Sequence, residues 1–117
     1  MLFRSCVSSI SGIAGNMGQT NYAVSKAGVV GMVQFNAPIY AQKGITINAV
    51  APGFIETAMT AGMFADPAFR TWVVERIALG RLGRTEEVMG AIVFLASAAS
   101  SLVTGSALML DGGWSAA

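Results

Sequence analysis

Histidine is absent from this chain of 117 residues, and charge is scarce. Without an imidazole, any proton transfer near neutral pH must fall to another side chain. Lys, Arg, Asp and Glu make up 11% of the sequence, against about 25% in ordinary globular domains. No charged residue occurs between Lys26 and Lys43, or between Glu87 and Asp111. So weakly charged a surface suits a chain that buries much of itself against a partner or against further sequence. The net charge of +1, with no basic cluster, leaves no electrostatic footprint for nucleic acid. A single cysteine, Cys6, excludes an internal disulfide and fits a reducing cytoplasm. The first residues carry no basic region followed by a long apolar stretch, so no signal peptide is indicated. The uncharged run from Val88 to Leu110 has the length of a membrane span, which needs ~20 apolar residues. Ser97, Ser100, Ser101, Thr104, Gly105 and Ser106 interrupt its second half, so a buried helix, a turn and a buried strand explain it better.

What is present is apolar sequence, 54% of the chain, enough for one small domain and too short for two. No repeat, linker or low-complexity block divides it. Residues 2–8 read as a short strand, with Arg4 and Ser5 interrupting its apolar character. Gly12, Gly15, Asn16 and Gly18 mark a loop. Thr20 or Asn21 can cap a helix running towards Gln42, whose Ala23, Ala27, Gly28 and Gly31 give a face of small residues. Pro38 is expected to kink or end that helix, because it removes a backbone donor. Ile45–Ala51 reads as a buried strand stopped by Pro52 and Gly53. Asp66-Pro67 starts another helix, with Phe69, Val73, Arg76 and Ile77 at helical spacing and Gly80 closing the segment. Thr85 can cap a third helix with Glu86 and Glu87 at its positive end and Val88, Ile92 and Leu95 as its apolar stripe. Ala107–Leu110 is a last buried strand, closed by the turn Asp111-Gly112-Gly113. Strands alternating with helices predict an α/β fold with a parallel sheet.

The candidate chemistry starts with Tyr22 and Lys26 in Y-A-V-S-K. On a helix an i, i+4 pair shares one face, about 5–6 Å apart at Cβ. A fixed ammonium beside a phenol favours the phenolate, which makes the pair a plausible proton-transfer device. Taken alone, Tyr-x-x-x-Lys is a weak signal, and Ser9 reads as a loop hydroxyl and Pro52-Gly53 as a turn. Their order and spacing say more. Ser9 lies thirteen residues before Tyr22 in N-Y-A-V-S-K-A-G, followed by N-A-V-A-P-G-F-I-E-T from Asn48 to Thr57 and by D-G-G from Asp111. This combination strongly resembles the short-chain dehydrogenase/reductase family, from about Val7 to Gly113.

The resemblance implies a Rossmann-like doubly wound sheet and roles for particular residues. Tyr22 would be the general acid or base, Lys26 would support its charged form and hydrogen-bond the nicotinamide ribose, and Ser9 would donate to the substrate oxygen. Pro52, Gly53, Ile55 and Thr57 match the segment that wraps the nicotinamide end of NAD or NADP in this family. The stretch from Met59 to Phe64 would overlie the substrate as an apolar, adaptable wall, although its side chains could equally be core. The segments G-R-L-G-R-T-E-E-V, F-L-A-S and D-G-G-W look like bacterial members acting on 3-oxoacyl thioesters or on sugar acids such as gluconate.

Family members of this type are about twice this length, and open with a strand, glycine-rich turn and helix that bind the cofactor pyrophosphate. No G-x-x-x-G-x-G or G-x-G-x-x-G turn follows a strand here, and the stretch from Gly12 to Gly18 occupies the family's Ser-to-Tyr loop. Residues 1–117 are therefore expected to form a single partial NAD(P)-binding domain, the C-terminal half of the fold with about three strands, with little activity alone. Three adjacent strands would leave a sheet edge open, and Arg4 in a strand covered on both faces would be costly. Relatives form subunit interfaces with the helix carrying Tyr22 and with the last helix and strand, which implies a homo-oligomer. A non-catalytic remnant that acts as an interaction module is the alternative.

Overall fold

The strand I-T-I-N-A-V-A-P is apolar on both faces except at Thr46 and Asn48, and its residues 47–51 are all buried. Such a run belongs in the middle of a parallel sheet covered on both sides. The computed structural model describes residues 2–9 and 20–116, and in it this strand, β2 (Ile45–Pro52), lies between β1 (Leu2–Val7) and β5 (Ala107–Leu110). All three are parallel, with Leu2 opposite Ile45 through Val7 opposite Val50, and Ala49 opposite Ala107 through Pro52 opposite Leu110. The glycine-rich stretch from Gly12 to Gly18 lies outside the described residues. Arg4 is exposed, which corrects the expectation of a costly burial. The reason is topological: β1 is an edge strand among the described residues, so its flank is open.

Parallel neighbours need crossovers, and helices supply them. The first is α1 (Thr20–Ala41), a helix of 22 residues about 33 Å long. It ends at the turn Lys43 N–H to Tyr40 and Gly44 N–H to Ala41, with Gly44 at φ +70. Pro38 sits inside this helix and does not end it. It is exposed and falls in the last turn, so its ring faces water and only the Gln34 carbonyl loses a ladder donor. Val33 and Ala37 of α1 pack with Ile47 and Ala49 of β2, joined by Cys6, Val29, Tyr40 and Ala107.

The second crossover holds β3 (Ile55–Glu56), α2 (Ala61–Phe64), α3 (Pro67–Val74), β4 (Gly83–Arg84) and α4 (Thr85–Ala96). The carboxylate of Asp66 accepts the Ala68 N–H at 3.0 Å and so caps α3, as the sequence predicts. That helix stops at Val74, well before Gly80. Thr85 is the first helical residue of α4 and not its cap; Arg84 holds that position, and Glu87 accepts its backbone N–H at 3.0 Å. Leu95 and Ala91 of α4 cover the opposite face of the sheet at Val50, with Ile92, Leu108 and Leu110. A third apolar cluster, Phe64, Val73, Ile77 and Leu82 with Phe54 and Trp114, joins α2 and α3 to the end of the chain. The uncharged run from Val88 to Leu110 is the body of α4, a short 3-10 turn, a loop and β5. Among the described residues no helix is long and apolar enough to cross a membrane.

Candidate active site

Parallel strands bring their C-terminal ends to one edge, where α/β sheets bind ligands. Here that edge carries Ser8 and Ser9 after β1, Pro52 and Gly53 at the end of β2, and Asp111 after β5. Ser8 continues the ladder by donating its N–H to Val50 O at 2.8 Å, and Gly53 does so to Leu110 O at 3.0 Å. A Cβ on Gly53 would lie 2.9 Å from both Cα and Cβ of Asp111, so only glycine fits between the two strand ends.

The N-terminal turns of α1 reach the same edge. Tyr22 and Lys26 lie on one face, with Lys26 Nζ 5.5 Å from the centroid of the Tyr22 ring. Lys26 Nζ also donates to Val7 O at 3.4 Å, which ties the ammonium to the end of β1. The Ser8 hydroxyl donates in the other direction, to the Lys26 carbonyl at 2.7 Å. Tyr22 is 44% exposed, whereas Ser9 is buried. The structure thus brings Lys26 and Tyr22 to the strand end that carries Ser9, beside Pro52 and Gly53 on the neighbouring strand.

Ile55 and Thr57 follow on the segment leaving that edge, and both are half-buried. Thr60 braces this segment. Its hydroxyl donates to Ile55 O at 2.7 Å and accepts the Thr57 N–H at 2.9 Å. Arg70 of α3 pairs with Glu56 at 2.8 Å, both about half exposed. The expected wall divides: Phe64 is core, while Met59 is 91% exposed and Met63 partly so. Sequence reasoning passed over Ser8 and Thr60. The doublet Ser8-Ser9 and the spacing Thr-x-x-Thr were the only signals for them.

Two carboxylates are strongly placed. The Arg81 guanidinium, 2.7 Å from Glu87, and the Arg84 backbone N–H hold the Glu87 carboxyl down at about 2. Burial pushes the Asp111 carboxyl up, but bonds from the Ser115 hydroxyl and from the N–H groups of Ser115 and Gly113 outweigh it, and the net shift is downward. Both carboxylates border a cavity of about 570 Å³ that also takes in Phe54, Ile77, Leu79 and Met109. None of Ser9, Tyr22 and Lys26 lines it. Donor geometry, and not concavity, marks the candidate site. Among the described residues no group of three or more Cys, Asp or Glu could hold a metal ion.

A family model described as enoyl-(acyl carrier protein) reductase matches residues 5–115. The chain is 54% identical over 107 residues to a 3-oxoacyl-(acyl-carrier-protein) reductase from Thermotoga maritima, and 43% identical over the same length to nodulation protein G from Azospirillum brasilense. Each alignment covers 92% of this chain but only 43% of the relative. Among solved structures, a gluconate 5-dehydrogenase from Burkholderia cenocepacia in complex with NADP and tartrate superposes with a TM-score of 0.93 at 34% identity. An Agrobacterium tumefaciens protein assigned as a 2-deoxy-D-gluconate 3-dehydrogenase, with bound NADP, gives 0.95 at 41%. Both superpositions cover 98% of this chain, and 45% and 47% of those chains respectively. With its parallel sheet, covering helices and a family match over nearly its whole length, the chain belongs to the short-chain dehydrogenase/reductase family of oxidoreductases.

Proposed function

We propose that residues 1–117 are the catalytic, C-terminal part of an NAD(P)-dependent oxidoreductase that interconverts a carbonyl and a secondary alcohol. The observation that carries this reading is the Tyr22–Lys26 pair tied to the end of β1 beside Ser9. In the reducing direction the Tyr22 hydroxyl gives its proton to the carbonyl oxygen; in the oxidising direction its phenolate takes the alcohol proton. The Lys26 ammonium stands beside it, 5.5 Å from the centroid of the Tyr22 ring. Ser9 donates a hydrogen bond to the same substrate oxygen as charge gathers there.

NAD or NADP, when bound, supplies or accepts the hydride. The residues present fit its nicotinamide–ribose end. An ammonium has three donors, and Val7 O engages Lys26 Nζ only at 3.4 Å, so a ribose hydroxyl can share it. Pro52, Gly53, Ile55 and Thr57 leave the same sheet edge. The sequence contains neither G-x-x-x-G-x-G nor G-x-G-x-x-G, the glycine patterns that let a turn cradle the pyrophosphate. The 117 residues by themselves are accordingly proposed to turn over little.

The names of the relatives point to two substrate classes, 3-oxoacyl thioesters and sugar acids related to gluconate. A direct test assays the purified chain with NADH and NADPH against one substrate of each class. In parallel, the chain is fused behind the part of the Thermotoga relative that precedes its matching region. The fusion is expected to reduce one of the substrates, and Tyr22→Phe to lower that rate at least ~100-fold. A fusion that folds and binds cofactor but turns over neither substrate would refute the reading, as would a Tyr22→Phe fusion of undiminished rate.

A second reading, a self-associating module without catalysis, is favoured by one observation. Val24, Met32, Phe35 and Ile39 on α1 and Met89, Val93 and Phe94 on α4 are exposed apolar side chains. Association through α1 and through α4 with β5 is compatible with the enzymatic reading as well, as is a cytoplasmic setting for the unpaired Cys6.

A further inference from the structure

We infer that Ser8 is a positioning residue, one that locks the turn of α1 bearing Tyr22 and Lys26 onto the end of β1. The inference rests on the reading of that turn as the acid–base element.

Ser8 is 2% exposed, and its two polar groups reach in different directions. Its N–H completes the β1–β2 ladder at Val50 O, which fixes the residue to the sheet. Its hydroxyl crosses to α1 and donates to Lys26 O at 2.7 Å. A carbonyl has two lone pairs, and the helix ladder uses one, so Lys26 O takes Ser8 without loss to the helix. Lys26 Nζ returns a bond to Val7 O. Two bonds of opposite sense thus join residues 7 and 8, which immediately precede Ser9, to a single helical residue one turn after Tyr22.

The rest of α1 explains why a polar clamp is needed there. Its apolar contacts with the sheet come from Val29, Val33, Ala37 and Tyr40, all beyond Lys26. Those contacts are non-directional, and a helix resting on them alone is free to slide or roll. Before Lys26, Thr20, Asn21, Tyr22, Val24 and Ser25 are exposed, and a Cβ placed on Gly28 would meet nothing within 4 Å. Packing therefore holds the back of the helix, and Ser8 sets the height and roll of its front. A merely satisfied buried hydroxyl would add to stability throughout the fold and would have no special hold on Tyr22.

The test uses the 117-residue chain and needs neither substrate nor cofactor, so a chain without turnover leaves it intact. Amide hydrogen exchange and the proton–proton contact between the Lys26 side chain and the Tyr22 ring are followed by NMR in wild type, Ser8→Ala and Ser8→Thr. Ser8→Ala is expected to speed exchange at residues 24–30 about tenfold, the effect of one hydrogen bond of ordinary net strength, and to weaken the Lys26–Tyr22 contact. Exchange in α4 and β5 stays unchanged, and Ser8→Thr, which keeps the hydroxyl, restores both signals. A uniform rise across the chain, or unaltered exchange and contact in α1, would overturn the inference. If Ser8→Ala does not fold, Ser8→Cys, whose thiol is only a weak donor, carries the same test: a rise confined to residues 24–30 supports it, and a uniform or absent rise overturns it.

Discussion

Glu87 carries the clearest electrostatic signature in the chain. Its carboxyl lies at about 2 in the fold, below its ordinary 4.5, because Arg81 and the Arg84 N–H bind the ionised form. The stability this adds is complete above about pH 4.5 and is lost as the pH falls through 2. Melting temperatures of wild type and Glu87→Gln are therefore expected to differ by a constant amount near neutrality and to converge below pH 4.5. A gap that stays constant into strong acid would show that Glu87 does not act through its charge. Gly112 offers a steric counterpart. Its φ is +62, and a Cβ there would sit 2.7 Å from Ile77 Cγ2. Gly112→Ala is expected to cost at least about 1–2 kcal/mol in chemical denaturation, since the left-handed conformation alone is that unfavourable with a side chain. At this scale the sequence was readable where a motif sets geometry: Tyr22 and Lys26 share a face of α1, and Gly53 sits where no side chain fits. For Ser8 it offered only the doublet with Ser9, because its partner is a main-chain carbonyl eighteen residues away, which any residue type would supply.

Elements were legible in proportion to their length and burial. The apolar run of β2 and the Asp66-Pro67 start of α3 reappear in the structure as the sequence predicts them. The end of α3 does not, for a local reason. Arg76 lays its guanidinium 4.0 Å from the Trp72 ring centroid and bonds to Trp72 O, while Ile77 N–H turns back to Val74 O. The side chains of Arg76 and Ile77 keep their helical spacing in the sequence, but the backbone beneath them is already turning. The pair β3–β4 has no periodicity to read, since Ile55-Glu56 and Gly83-Arg84 each span a single repeat of the two-residue strand pattern. The helix α1 carries its own test. Pro38 is exposed and costs a backbone bond, so Pro38→Ala is expected to raise stability by about 1–3 kcal/mol. The denaturation midpoint should rise with an unchanged denaturant slope; a lower midpoint would mean that Pro38 shapes the packing of α1.

For the whole molecule, the radius of gyration is 15.2 Å, against about 13.4 Å for a compact chain of this length. The long α1 and the edge strands leave faces uncovered, among them Phe35 at 73% exposure on α1 and Val93 at 66% on α4. Light scattering is expected to show concentration-dependent association of the wild-type chain, and Phe35→Glu with Val93→Glu to shift it towards monomer. Wild type that remains monomeric throughout would remove self-association from the proposal. The pairing of β1 with β2 has a further consequence, for how the gene can vary. Because side chains alternate along a strand, a single-codon deletion within β1 would turn Ser8 away from α1 and withdraw Cys6 from the packing beneath it. Such a lesion would damage folding and the proposed acid–base element together. Length changes in residues 2–9 should therefore be far less tolerated than substitutions at its exposed positions, such as Arg4.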